Sequence, residues 1–405
     1  FTIFIIFVFR VGAHVTVPGI NAESLKQLSD LPFLNMLNLV SGNAINNFSI
    51  FSMGVSPYIT ASIIVQLLQM DIYPKFVEWG KQGEVGRRKL NQATRYITLV
   101  LAFVQSIGIT ASFNTLSSIS LVKTPNISTY LLIGSILTAG SIIVTWLGEQ
   151  ITDKGFGNGV SMIIFSGIIA SIPKMFSTIY EDFFVNVRTG DLTRSYIIVA
   201  LLIVVGLAIV FFTTFVQQAE YQIPIQYTKL VQGAPTSSYL PLKVNPAGVI
   251  PVIFASSITT IPSTILPFFS KVTWLSHLQG LLSYNTPSGM IIYAILIILF
   301  SFFYTFVQVN PEKTAEYLQK NGSYIPSVRP GRETEKYMSS LLKRLATIGA
   351  VFLAFISLAP IAAQQFMHLT SSIALGGTSL LILISTGIEG MKQLELSLIH
   401  ISEPT

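Results

Sequence analysis

Apolar stretches of about 20 residues recur along the whole chain, and this recurrence constrains the fold more than any motif does. A bilayer core about 30 Å thick is crossed by roughly 20 residues of α-helix, because backbone polar groups in hydrocarbon must be bonded within the segment. Ten such stretches are read: 1–17, 50–70, 96–113, 129–148, 158–175, 196–216, 246–268, 289–309, 345–362 and 373–391. Only 10% of the 405 residues are charged, against about 25% in a soluble domain. A soluble enzyme, a disordered chain and a basic nucleic-acid binder are excluded on that ground. The expected fold class is an all-α polytopic membrane protein with ten transmembrane helices. The chain has no Cys, which removes disulfide frameworks and thiolate metal sites. Phe1 opens directly in apolar sequence without a basic start, so the N-terminus reads as truncated rather than as a signal peptide.

The placement of the few charges orients the spans. Seventeen of the 24 Lys and Arg residues fall in loops 71–95, 149–157, 217–245 and 310–344 or after residue 391. Basic loops stay on the cytoplasmic side, so these loops and both termini are expected there. Ten spans divide into five and five, and an odd number makes the second half enter the membrane from the opposite side. That permits two inverted five-helix halves around a central pore, with 1–175 as the N-terminal half and 176–394 as the C-terminal half.

Several segments are neither ordinary span nor ordinary loop. Residues 34–49 hold five Asn among apolar residues, too polar to face lipid and too apolar for a solvated loop. They fit either an amphipathic helix on the outer surface or a re-entrant segment stoppering a pore, since irregular backbone at depth needs protein around it. His14, His277 and His368 have no metal-ligand spacing to one another, and neither a Walker A nor a zinc-binding His motif is present. Gly155-Phe-Gly-Asn-Gly159 reads as a tight turn between two spans. In loop 310–344, Pro330 and Gly331 follow Arg329 on a short turn, which suits a docking knob better than a plain membrane anchor. Coupled carriers usually hold a titratable group near the midplane, and apart from Arg10, at the outer end of its span, the spans lack a central charge. A passive conduit driven from outside is therefore preferred to the alternative, a coupled small-solute or lipid transporter.

The residues that carry a family resemblance run in order along nearly the whole chain. They include Ser52-Met-Gly-Val-Ser-Pro-Tyr-Ile-Thr60, Gly86-Arg-Arg-Lys89, Trp146-Leu-Gly-Glu-Gln150, Asp153-Lys-Gly-Phe-Gly-Asn-Gly-Val160, Leu240-Pro-Leu-Lys-Val-Asn-Pro-Ala-Gly248, Val328-Arg-Pro-Gly331 and Gly376-Gly-Thr-Ser379. In these the chain resembles the SecY family, the central subunits of bacterial protein-translocation channels. The resemblance implies a clamshell around an hourglass pore, narrowed by a ring at Val55, Ile59, Val160, Ile164, Ile253 and Ile382. It implies a plug within 34–49 that includes Ser41, Gly42, Asn43, Ala44 and Ile45, and a lateral gate with Thr60, Gln66 and Ile261. It implies partner docking at Arg329, Arg332, Arg87, Arg88 and Lys89. The implied partners are SecE-like and SecG-like small subunits, the SecA motor ATPase, the ribosome, signal sequences, translocating polypeptides and membrane lipids. No catalytic residue, metal or cofactor is implied, and the implied location is the bacterial cytoplasmic membrane. Loop 217–245 departs from the pattern, with only Lys229 and Lys243 as basic residues, so 310–344 is expected to dominate docking. The tail 395–405 does not match the family and carries no expected role.

Overall fold

The computed structural model describes residues 1–21, 41–42, 44–70, 72–116, 122, 125–185, 192–227, 237–265, 281, 286–367 and 376–402. Its helices are α1 (Thr2–Gly12), α2 (Ser56–Leu68), α3 (Pro74–Lys81), α4 (Gly83–Leu116), α5 (Ile127–Lys154) and α6 (Gly159–Tyr180). They continue with α7 (Leu192–Gln218), α8 (Ile250–Ile265), α9 (Pro287–Gln308), α10 (Pro311–Lys320), α11 (Arg332–Met367) and α12 (Gly376–Ser402). Each of the ten expected spans falls on one of these helices. Among the described residues, α4, α5, α6, α7, α9 and α11 are long and apolar enough to cross a membrane, while α1, α2 and α8 are shorter apolar helices. Large apolar side chains such as Phe4, Phe7, Val204 and Phe211 are exposed on the outer faces. A water-facing surface of that kind is an association hazard, whereas hydrocarbon accommodates it.

Helix starts follow from local chemistry. The Asn158, Thr286 and Asn310 side chains accept hydrogen bonds from backbone N–H groups of Ser161, Gly289 and Lys313, each at 3.2 Å, and so cap α6, α9 and α10. The second span begins later than the hydropathy predicts. Residues 50–55 are turns rather than helix, with Gly54 at φ +52° and Pro57 in the first turn of α2. A proline fits there because its missing N–H belongs to a group with no helical partner. The seventh span likewise opens with a turn, Gly248 lying at φ +61° before α8.

The all-helical expectation needs one addition, since loops 217–245 and 310–344 are not loops. The strands β1 (Glu220–Tyr227), β2 (Ser237–Lys243) and β3 (Ser323–Tyr324) form an antiparallel sheet in the order β2-β1-β3. Period-two alternation places Ile223 and Ile225 on one buried face. They pack with Leu242, Leu318, Ile325, Met338 and Leu342, so hairpin, α10 and the start of α11 share a separate core. The two sequence-distant segments are thus one rigid unit. Gly155–Asn158 is the expected turn, linking α5 to α6.

Close backbone approach fixes α5 against the irregular segment before α2. A Cβ on Gly140 would lie 1.8 Å from the carbonyl oxygen of Ile50, and a backbone oxygen cannot swing aside as a side chain can. Gly140→Ala is expected to lower stability by about 1–3 kcal/mol, read as a fall in the thermal unfolding midpoint in detergent.

Candidate functional site

The molecule's largest apolar cluster draws on α1, α2, α5, α6, α8, α9, α11 and α12. Val55, Ile59, Ile164, Ile253 and Ile382 are buried within it, and half-buried Val160 packs against it. Val55 and Ile59 are four residues apart, with Val55 capping α2 and Ile59 on it, and Val160 and Ile164, also four apart, share one face of α6. Ile253 on α8 and Ile382 on α12 reach the same cluster from the other half of the chain. Branched aliphatic groups offer water and ions no partner, so a lumen narrowed by them dewets.

Beside this cluster lies the described part of segment 34–49. Ser41, Gly42, Ala44 and Ile45 are buried, and Ile45–Asn47 form a single 3₁₀ turn. Asn43 and residues 34–40 lie outside the described residues. The described residues 41–42 and 44–49 form no helix longer than that turn, and their backbone is bonded by neighbours. Arg10 of α1, half-buried, donates from Nη1 to the carbonyl of Gly42 at 2.8 Å. The Ser52 hydroxyl donates between the carbonyls of Ala44 (3.1 Å) and Ser49 (2.7 Å). Backbone bonds from Val17 to Phe48 and from Ile50 to Val15 tie it to the end of α1. On α6, Gly167 lies so close that a Cβ there would sit 2.1 Å from Cα of Gly42. Ile45 and Phe48 fill a second apolar cluster with Val17, Met53, Ile109 and Leu137.

The expected gate residues lie on α2 and α8, which are in contact. Thr60 is buried and donates to the carbonyl of Ser56 at 3.1 Å. Gln66 donates from Nε2 to the Ser62 hydroxyl at 3.1 Å, leaving its buried Oε1 without a partner among the described residues. Ile261 is on α8, with its side chain outside the described residues. The basic positions are all at the surface. Arg329 is exposed on the turn between β3 and α11, whose shape is held by the Thr334 hydroxyl donating to the Arg329 carbonyl at 2.9 Å. Arg332 opens α11, while Arg87, Arg88 and Lys89 are exposed near the start of α4. Lys89 donates to Gln82 Oε1 at 3.2 Å. Among the described residues no group of His, Asp and Glu is arranged to hold a metal.

Sequence reasoning gave no role to Arg10, Ser52, Ser141 or Gln393. Ser141 of α5 donates to the carbonyl of Gly54 at 3.1 Å, a contact that nothing in local spacing marks. For Arg10 the signal was present: a lone cation in an apolar helix needs an acceptor.

Helices gathered around an aliphatic centre, with an irregular segment packed beside it, define a multi-pass membrane protein with a packed aliphatic core. The SecY family model matches residues 49–391. The chain belongs to the SecY family. A protein translocase subunit SecY from Streptococcus gordonii is 70% identical over 399 residues, covering 98% of this chain and 92% of that one. One from Bacillus subtilis is 50% identical, covering 98% and 93%. A solved structure described as that of a protein conducting channel aligns with a TM-score of 0.68 at 16% identity, over 99% of this chain and 93% of the other. Sec61 from the canine ribosome–channel complex aligns with a TM-score of 0.61 at 15% identity, over 99% and 93%. At those identities the structures establish the fold.

The Gly42–Gly167 approach can be probed directly, because the chain has no Cys. A thiol placed by Ser41→Cys, at a site only 2% exposed, should label slowly. Adding Gly167→Ala pushes the segment off α6 and should raise the labelling rate by roughly tenfold, the factor for about 1.4 kcal/mol of easier local opening.

Proposed function

We propose that the chain forms a protein-conducting channel in the bacterial cytoplasmic membrane. It passes unfolded secretory polypeptides across the bilayer and releases membrane-protein helices sideways into it. The observation that carries this reading is the convergence of six aliphatic residues from both halves on one buried cluster. In this reading Val55, Ile59, Val160, Ile164, Ile253 and Ile382 are the constriction. It seals when empty and, being unable to hydrogen-bond, selects no particular side chain of a passing polypeptide. Ser41, Gly42, Asn43, Ala44 and Ile45 belong to the plug that an arriving chain displaces.

The halves 1–175 and 176–394, each of five spans, part along α2 and α8, with Thr60, Gln66 and Ile261 at the seam. A signal helix leaves there because its backbone is already satisfied and its side chains favour lipid. Both termini lie in the cytoplasm, along with the sheet and α10. Arg329 and Arg332 dock the partner that supplies energy, either the ribosome or a SecA-type motor, assisted by Arg87, Arg88 and Lys89. SecE-like and SecG-like subunits cover part of the outer surface. The chain does no catalysis of its own. The hairpin joins this docking unit through the core it shares with α10 and α11, although it carries few basic residues. The coupled-transporter alternative draws no support from the relatives, which are named as translocase subunits.

Two experiments test this. In membrane vesicles with the whole complex, Arg329→Glu should cut preprotein export by roughly tenfold or more, the cost of reversing one charge at a docking contact, while the protein stays folded. Unchanged export would remove Arg329 from the docking surface. Deleting residues 40–48 should raise ion conductance across a planar bilayer without substrate, and an unchanged conductance would remove the plug role.

A further inference from the structure

Two neighbouring side chains on α12 hold two parts of the molecule that the sequence keeps far apart. Gln393 accepts, at its Oε1, a hydrogen bond of 2.5 Å from the backbone N–H of Gly157. Gly157 belongs to the N-terminal half and is the buried residue of the otherwise largely exposed turn between α5 and α6, with φ +80°. One turn earlier on α12, Gly390 faces the ring of Phe156, whose atoms would be 3.7 Å from a Cβ there. The preceding residue, Lys392, donates to Glu220 Oε1 at 3.1 Å. Glu220 opens β1 at the base of the hairpin and stands opposite Lys243 in the β1–β2 register.

The placement matters for the constriction. Asn158, next to Gly157, caps α6, and that helix carries Val160 and Ile164. α12 carries Ile382 and packs against α6 of the first half and α7 and α11 of the second. The Gln393 contact therefore joins the two helices that bring three of the six constriction residues, and it joins them across the boundary between the halves. Lys392 then makes the same helix end answer to the hairpin. The two contacts differ in kind. The Gln393 bond is neutral and part-buried: Gln393 is exposed, but its donor Gly157 is buried, so breaking the bond leaves that amide without its partner. The Lys392 pair is between partly exposed groups, 40% and 34%, and yields readily to salt or a competing charge.

We propose that Gln393 is a cytoplasmic latch that biases the two halves toward the closed state. Lys392, through Glu220, links this latch to whatever docks on the hairpin unit. The latch rests on the channel reading above, in which the halves separate to open. A charged partner that docks on the hairpin competes for Glu220 and releases Lys392, which loosens the end of α12, weakens the Gln393–Gly157 bond and frees α6 to move.

The test uses the complete complex in planar bilayers. Gln393→Leu removes the acceptor and should raise resting open probability by roughly 3- to 10-fold, the factor for one net hydrogen bond. Gln393→Glu keeps an acceptor oxygen and should stay near the original value, an outcome that loss of helix packing alone would not give. Lys392→Met should still bind ribosomes bearing a nascent secretory chain, but the conductance rise they evoke should fall by roughly threefold or more. Because the chain has no Cys, Phe156→Cys with Gly390→Cys bridged by a cleavable thiol cross-linker should abolish the evoked rise until the linker is cut. Equal resting conductance in the original protein and Gln393→Leu overturns the latch, and deletion of 40–48 run in parallel separates two kinds of failure. If the deletion leaks and Gln393→Leu does not, the channel stands and the latch falls. If neither leaks and the complex also fails to export a preprotein, the channel reading fails and the latch with it.

Discussion

The structure depends on one constraint: backbone amides away from water need partners, and a segment that is not a helix cannot supply its own. Residues 41–42 and 44–55 are largely irregular, and their backbone is bonded partly by their own turns and partly by side chains. Arg10 serves Gly42, Ser52 serves Ala44 and Ser49, and Ser141 serves Gly54. Glycines at 42, 140 and 167 let backbones approach until no Cβ fits. A few side-chain bonds hold the segment, each worth only about 1 kcal/mol net, which suits the displaceable plug proposed above.

The same constraint explains the polar residues scattered through the spans, which from sequence alone fit either a wet route or bridges between helices. Many are neither. Thr94, Thr98, Thr110, Thr138, Thr145 and Thr305 donate to the carbonyl four residues back in their own helix. Such back-bonding satisfies the hydroxyl internally and often bends the helix slightly. Among the exceptions are the hydroxyls that serve the irregular segment, Thr2, which accepts from the Phe156 N–H at 3.3 Å, and Ser106, which also reaches the Gly134 carbonyl on α5 at 3.1 Å.

The spans were legible because an unbroken apolar stretch has few other readings. Their starts at α2 and α8 were not, because Gly54 and Gly248 adopt left-handed backbone that hydropathy does not register. The sheet was missed for a different reason. Glu220–Tyr227 alternates visibly, but the segment falls between spans, and in a membrane chain such segments are first read as loops. Helical spacing pairs Val55 with Ile59 and Val160 with Ile164. It says nothing about Ile253 or Ile382, which enter the cluster through tertiary packing and were placed beforehand only by resemblance. Gln393 was invisible, since a glutamine just beyond a span is ordinary until the turn at Gly157 is seen against it.

These features bear on how a conduit stays both shut and unselective. A seal made from hydrogen bonds would compete with the amides and side chains of every passing segment, and would hold polar sequences longer than apolar ones. Here the centre is aliphatic, and the hydroxyls of Thr60 and Ser257, on the helices flanking it, are occupied within their own helices. The specific contacts are displaced to the margins: Arg10 at one end of α1, Gln393 and Lys392 at one end of α12. In the proposed channel, closing energy and passage are thereby carried by different residues. An opening stimulus can act on the polar contacts at the margin and leave the apolar wall chemically unchanged, which is what transport of sequences with nothing in common requires.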